Sequence, residues 1–218
     1  MTVPCCFCAE LDGARDPRVD AAEPDRDGRL VDAGSALLVL PTLGMLASDH
    51  CLVVPRTHVT AFSLADDAAQ DRAMALAARL AATSPQRRAL AFEHGTLGHG
   101  GGGCGIVHAH LHVLGVPDGV PATPDDEPWR RVGATTRPMS AAAGHSRESY
   151  LLWARLGPDS VDIRARTAVG LPSQYLRRRV AAMLGLDSWD WRTAPPDPLR
   201  AALADVRHRL GLDVAAVA

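Results

Sequence analysis

The most constraining stretch of this chain is Val107-His108-Ala109-His110-Leu111-His112-Val113-Leu114, where histidine alternates with apolar residues at a period of two. On a β-strand, successive side chains point to opposite faces. His108, His110 and His112 therefore share one face, and Ala109, Leu111 and Val113 pack into a core on the other. Neighbouring imidazoles on such a strand stand about 7 Å apart. A helix would pair His108 with His112 and turn His110 away, so the strict alternation favours the strand. Three histidines in register can be an exposed polar face or a metal-binding strip. Beside the consecutive glycines 100–103, whose backbone N–H groups can form an anion-binding concavity, a phosphate-gripping site is the stronger reading.

The remaining pattern supplies a frame for that strand. Ala36–Leu40 and Cys51–Val54 read as buried strands. Ser63-Leu64-Ala65-Asp66 has a capping-box pattern, and Ala69, Ala73, Leu76 and Leu80 then form one apolar stripe on a helix of about five turns, ended by Thr83-Ser84-Pro85. Arg88–Glu93 and Ile106–Leu114 read as strands, and residues 117–147, rich in Pro, Asp, Ser, Thr and Gly, as a long loop. Two strands follow at Ser149–Leu156 and Val161–Thr167. Pro172 opens a helix ending near Gly185, and a last helix after Asp197-Pro198 carries Leu199, Leu203, Val206 and Leu210 on one face. Strands joined by turns as well as helices indicate an α+β fold with a mainly antiparallel sheet. The expected organisation is a catalytic core over 1–116, an excursion over 117–147, and a C-terminal α/β extension over 148–218.

Composition narrows the chemistry. The 218 residues suit one elaborated domain or two small ones, and the formal net charge of −2 argues against a general nucleic-acid or anionic-membrane binder. All 23 basic residues are arginine, so no lysine nucleophile or Schiff base is available, and phosphate charge must be met by Arg, His, backbone N–H groups or metal. No stretch reaches the length of a membrane span and the N-terminus lacks a signal pattern, which points to the cytoplasm. In that compartment Cys5-Cys6-Phe7-Cys8 suits a metal or redox pair better than a disulfide.

The histidine run resembles the signature of the histidine-triad (HIT) superfamily, in which three histidines alternate with apolar residues. Leu52-Val53-Val54-Pro55-Arg56-Thr57-His58 is similar to that family's strand ending in Pro-basic-x-His, and Cys5–Cys8 to its N-terminal Cys-x-x-Cys. The three elements follow the family's order over roughly residues 5–115. The resemblance implies a compact α+β unit that often forms a homodimer and acts as a nucleotide hydrolase or nucleotidyl transferase. It makes His110 the nucleophile, with His108 and His112 beside it. The chemistry is sound on its own terms, because a neutral imidazole is a good nucleophile near neutral pH and donors placed around phosphorus stabilise the transition state. The resemblance also implies a structural zinc held by Cys5, Cys8, His58 and His108, with four protein ligands and no open position. His50 competes with His58 for that place, and Cys6 points away from the pair. No organic cofactor is implied.

The sequence departs from the family where many of its hydrolases carry a polar pair before the first triad histidine; here those positions are Cys104 and Gly105. Phe92-Glu93-His94-Gly95 and Gly103-Cys104 instead resemble the hexose-phosphate nucleotidyltransferase branch, although that branch has Gln where this chain has His112. His94, Gly103, Cys104 and Gly105 are candidate substrate contacts, and His99 shares that loop. Pro172-Ser173-Gln174-Tyr175-Leu176-Arg177-Arg178 resembles C-terminal extensions of some HIT-like proteins. Gln174 and one of its arginines, Arg178, are candidate phosphate contacts, against the alternative of a solvated helix face. Trp189 and Trp191 can stack on a base or simply pack, and Arg56 is expected to be exposed. Three functions follow: a hydrolase of a dinucleoside polyphosphate, phosphoramidate or nucleotide conjugate; a transferase to a phosphate or phospho-sugar acceptor; and a nucleotide-binding module without turnover.

Overall fold

The computed structural model describes residues 5–14, 28–34, 36–86, 88–97, 105–133, 137–144, 149–158, 160–194 and 198–212. Its strands are β1 (Val31–Asp32), β2 (Leu37–Pro41), β3 (Cys51–Pro55), β4 (Ala89–Thr96), β5 (Leu111–Gly115), β6 (Arg130–Arg131), β7 (Ser149–Leu156) and β8 (Val161–Thr167). They form one sheet in the order β1-β2-β3-β5-β4-β7-β8-β6, antiparallel at every pairing. The helices are α1 (Cys6–Leu11), α2 (Asp67–Ala82), α3 (Pro138–Ala143), α4 (Tyr175–Met183) and α5 (Leu199–Arg209). This is the α+β, mainly antiparallel architecture read from the sequence.

The two-residue period of the strands sorts side chains to two covered faces. On one, Val39, Val53, Leu111, Val113 and Leu152 pack beneath Leu76 and Leu80 of α2, Met139 of α3, and Leu203 and Val206 of α5. On the other, Leu90, Phe92, Leu114, Leu151 and Trp153 meet Leu176 and Val180 of α4, while Leu40, Leu52 and Val54 meet Phe7 of α1. A large apolar side chain buried this way contributes about 1.5–3 kcal/mol. His112 alternates with Leu111 and Val113, so it lies on the second face, between Leu52 of β3 and Phe92 of β4.

Several boundaries differ from the sequence expectation for local reasons. β7 and β8 run as expected, but β4 continues through His94, Gly95 and Thr96 because these pair with Leu151, Tyr150 and Ser149. α2 begins at Asp67: the Asp66 carboxylate accepts from Ala69 N at 2.7 Å and caps the helix, while Phe62–Leu64 makes a separate 3-10 turn. α4 starts after Gln174, whose φ of 58° lies in the left-handed region, so Pro172 precedes the helix instead of opening it. The 117–147 segment is not all loop; it holds α3 and also β6, which pairs with β8.

The largest departure is at β5, which begins at Leu111 and not at Ile106. The β3–β5 register pairs Val53 with Leu111, and two steps further it would set Ala109 opposite Pro55. Proline has no N–H to continue the ladder. Ala109 N bonds Val59 O at 2.7 Å instead. His108 and His110 therefore lie on the approach to the strand, and only His112 sits within it. The burial alternation still holds for Ala109, Leu111 and Val113, all in the core beneath α2.

Candidate active site

Fixed backbone partners settle which ring nitrogen of each triad histidine carries hydrogen. His110 Nδ1 is 2.6 Å from the carbonyl of His108. A carbonyl only accepts, so Nδ1 bears the proton and Nε2 carries the lone pair. Burial pushes the His110 pKa down to about 4, against the raising effect of that carbonyl. The ring is a neutral nucleophile at neutral pH.

His112 is set through a second ring. Leu46 N donates to His50 Nδ1 at 3.2 Å, so neutral His50 carries its hydrogen on Nε2. That atom is 3.0 Å from His112 Nδ1, which must accept. His112 is thereby left with hydrogen on Nε2, a buried atom with no partner among the described residues. Burial holds both rings well below their usual pKa, and neighbouring charge, including that of Arg177, adds to the effect. Phe92 stacks on His112 with centroids 4.4 Å apart and locks its plane. The His110 and His112 rings are 5.1 Å apart, closer than the spacing of a regular strand.

His108 faces elsewhere. Its Nε2 donates to Pro55 O at 2.8 Å, which leaves the Nδ1 lone pair pointing at Cys5 Sγ (3.4 Å) and Cys8 Sγ (3.6 Å). His58 Nδ1 is 3.2 Å from Cys8 Sγ. The four ligand atoms of Cys5, Cys8, His58 and His108 lie within 4.8 Å of one another, a group that could hold a metal ion. It ties α1 to the approach to β5 and brings Phe7 edge-on to the His108 and His110 rings, at 5.7 and 5.8 Å.

A pocket opens before the other two histidines, walled by His110, His112, Phe7, Leu43, Arg177 and Trp191. The pocket is open to solvent, with about 390 Å³ of empty space that includes its mouth. His94 is buried next to this centre, close enough for its charge to bear on His110, and neither of its ring nitrogens has a partner among the described residues. Burial pushes its pKa to about 4.

The family model for the HIT domain matches residues 46–118, the stretch that contains His50, His58, His94 and all three triad histidines. Over those residues the chain is similar to the HIT domain. Two solved structures are similar to it. One is a hypothetical histidine triad nucleotide-binding protein from Sulfolobus tokodaii strain7, at 17% identity over 53% of this chain and 70% of that one, with a TM-score of 0.35. The other is a Hit-like protein involved in cell-cycle regulation from Bartonella henselae, at 12% identity over 50% of this chain and 86% of that one, with a TM-score of 0.31. No curated protein matches the chain. The HIT-domain match supports nucleotide binding with hydrolase or transferase chemistry in general terms.

The matched stretch brings His110 and His112 to the pocket, with His94 buried beside His110, and His58 and His108 to the candidate metal cluster. Gly103, Cys104 and His99 lie outside the described residues. Gly105 is described, with φ of 87°, and a Cβ there would stand 3.2 Å from Ser173 Oγ and 3.8 Å from Trp191 Nε1. Gln174 is not on the pocket wall; it donates to Asp190 Oδ1 at 2.8 Å and braces the segment leading to Trp191. Arg178 is exposed, its guanidinium over the Trp189 ring at 4.7 Å, and it is Arg177 that lines the pocket. Cys6 is outside the metal cluster and lines the pocket, its thiol pushed up to about 11 by burial. Arg56 is exposed and pairs with Asp32 at 2.9 Å. Sequence reasoning missed His50 as the partner of His112. The signal was its place two residues before Leu52, which puts it on the same strand face, but that is useful only once β3 is known to pair with β5.

Proposed function

We propose that this HIT-domain protein cleaves a nucleoside-phosphate conjugate (a dinucleoside polyphosphate, a phosphoramidate or a similar compound) through a nucleotidyl-histidine intermediate on His110. The single observation carrying this reading is the 2.6 Å bond from His110 Nδ1 to the His108 carbonyl, which leaves Nε2 as a lone-pair nitrogen on the pocket side. Nε2 attacks phosphorus and a P–N bond forms as the bond to the leaving group breaks. The leaving group departs with the electron pair and takes a proton from water. The His112 Nε2–H donates a hydrogen bond to charge building on the phosphoryl oxygens. Water then attacks phosphorus and loses a proton to solvent, and the P–N electron pair returns to Nε2. His108 serves through its carbonyl, which orients His110, and through its ring, which holds metal.

We assign that metal as a structural zinc. With Zn–S near 2.3 Å and Zn–N near 2.0–2.1 Å, tetrahedral geometry sets sulfur and nitrogen about 3.5 Å apart. The separations of 3.2, 3.4 and 3.6 Å fit that geometry, and the Pro55 carbonyl supplies the usual outer-shell partner of a ligating histidine. Reduced cysteines of this kind suit the cytoplasm, and a homodimer, which light scattering would report, belongs to the same reading.

The test is intact-mass analysis after rapid mixing with adenosine 5′-phosphoramidate or a diadenosine polyphosphate. The expected result is an adenylyl adduct on wild type and none on His110→Ala, which still binds ligand. Turnover by His110→Ala would overturn the mechanism. Exchange of the adduct into added inorganic phosphate or a hexose phosphate would identify a transferase instead.

A further inference from the structure

We propose that the Glu10–Arg29 ion pair is the base-reading element of the His110 pocket, presenting an acceptor beside a donor to the matching donor and acceptor on the edge of a nucleobase. The inference rests on the nucleotide reading above. It adds the group that tells one base from another, from segments that the family model leaves out.

Glu10 lies on α1 and Arg29 just before β1, and both line the pocket onto which His110 and His112 open. The Arg29 side chain is 5% exposed and that of Glu10 10%. Arg29 Nε donates to Glu10 Oε2 at 3.1 Å and Nη2 to Oε1 at 2.8 Å, while Nη1 donates to Pro41 O at 2.8 Å. This fork fixes both planes. It uses three of the five guanidinium N–H groups and one lone pair on each carboxylate oxygen, so each partner keeps capacity of a single kind: Glu10 only accepts and Arg29 only donates. Packed apolar residues in such a place give as much stability as a buried ion pair or more, which points to a role in recognition. The pair carries no net charge, so it does not repel a phosphate at His110.

The sheet sets how far this pair stands from the chemistry. Pro41 pairs with Cys51, and Cys51 with Val113, the residue after His112. Two interstrand spacings, about 10 Å, therefore separate the carbonyl that anchors Arg29 from the strand of His112. That is the span from the phosphorus of a nucleotide across its sugar to the base, and it exceeds the reach to the ribose hydroxyls. Between the two ends the lining is apolar, with Phe7, Leu43, Leu52 and Ile106. Leu52 pairs with both Leu40 and His112, so it forms the floor from β2 to β5. A flat ring on this floor turns its polar edge to the ion pair. Adenine offers a 6-amino donor beside the N1 acceptor, and hypoxanthine a 6-oxo acceptor beside an N1–H donor, at nearly constant shape. A fixed acceptor and donor match one order and set like against like in the other.

The experiment measures AMP, IMP and ribose 5-phosphate by calorimetry on the full chain, wild type and Glu10→Gln. Wild type is expected to bind one of AMP and IMP about 10- to 100-fold more tightly than the other, and that one more tightly than ribose 5-phosphate. Glutamine keeps the shape but can turn either its oxygen or its amide hydrogens to the base. Glu10→Gln, shown to be folded by its melting curve, is therefore expected to bring the AMP-to-IMP ratio near unity. Equal affinities for AMP and IMP in wild type, both above that of ribose 5-phosphate, overturn the base-reading role and leave the nucleotide reading standing, as does a preference kept in the variant. Nucleotides that bind no better than ribose 5-phosphate overturn that reading and this inference together. If Glu10→Gln does not fold, purine riboside 5′-monophosphate, which lacks the 6-substituent, decides on the wild type. A loss of about 10-fold against the preferred nucleotide supports the role, and an affinity equal to it overturns the role.

Discussion

His50 has no reactive part in the proposed reaction, yet the hydrogen on His112 Nε2 is there because His50 donates to the other nitrogen. His50→Phe removes that donor, frees the His112 tautomer, and should lower kcat by about 10- to 100-fold with little change in KM, read from steady-state kinetics alongside a melting curve. An unchanged kcat would break the tautomer chain. Glu93, one residue before the buried His94, points to the opposite face. It accepts from Tyr150 OH at 2.6 Å and Phe62 N at 2.7 Å, and burial raises its pKa from 4.5 to about 7. An acid held above its unfolded value favours the folded state in its protonated form. Its contribution is therefore complete below about pH 4.5 and lost as pH rises to about 7. Urea unfolding across that window should show stability declining in wild type and a flatter profile in Glu93→Gln.

Two helices meet the sheet in different ways. α2 is a conventional amphipathic helix whose Leu80 is fully buried, so Leu80→Ala should cost about 2–5 kcal/mol in urea unfolding without touching the pocket. α1 has six residues, too few to persist alone, and Phe7 is its one buried side chain. On the proposed zinc assignment, its place over His108 and His110 is held by the Cys5–Cys8–His58–His108 cluster. If that zinc is bound, Cys5→Ser or a chelator should lower the melting temperature and strip hydrogen-exchange protection from residues 6–11. Protection that survives full removal of metal would show that packing alone holds the helix.

At the scale of the whole molecule, the site is a junction of distant segments. β3, β4 and β5 of the HIT domain hold or flank the histidines, the N-terminal α1 brings two cysteines and Phe7, and α4 with the turn after it brings Arg177 and Trp191. β7 pairs with β4 along its whole length, so the C-terminal strands continue the sheet of the HIT domain. The contact of Gly44 with the 177–194 segment closes this arrangement. Gly44→Ala places a methyl against Trp191 Cα in a left-handed backbone position, and should destabilise the fold by roughly 1–3 kcal/mol and impair ligand binding, measured by thermal melting and calorimetry. Full stability and binding in that variant would mean the segment need not close so tightly.

The sequence by itself determined the elements whose signal is local. The alternation in 107–114 fixed which residues enter the core, the stripe from Ala69 to Leu80 fixed a helix, and the apolar runs at 149–156 and 161–167 marked β7 and β8. The histidine run was legible from residue type and spacing, and the grouping of Cys5, Cys8, His58 and His108 followed from the family resemblance. Only the tertiary structure decided that β5 stops short opposite Pro55, that His108 turns to the cysteines while His110 and His112 face the pocket, that His50 sets His112, and that Arg177 rather than Arg178 reaches inward. Each of these depends on which strand lies beside which and how a helix is rotated over the sheet. Those are outcomes of packing between residues far apart in the chain, and no local pattern encodes them.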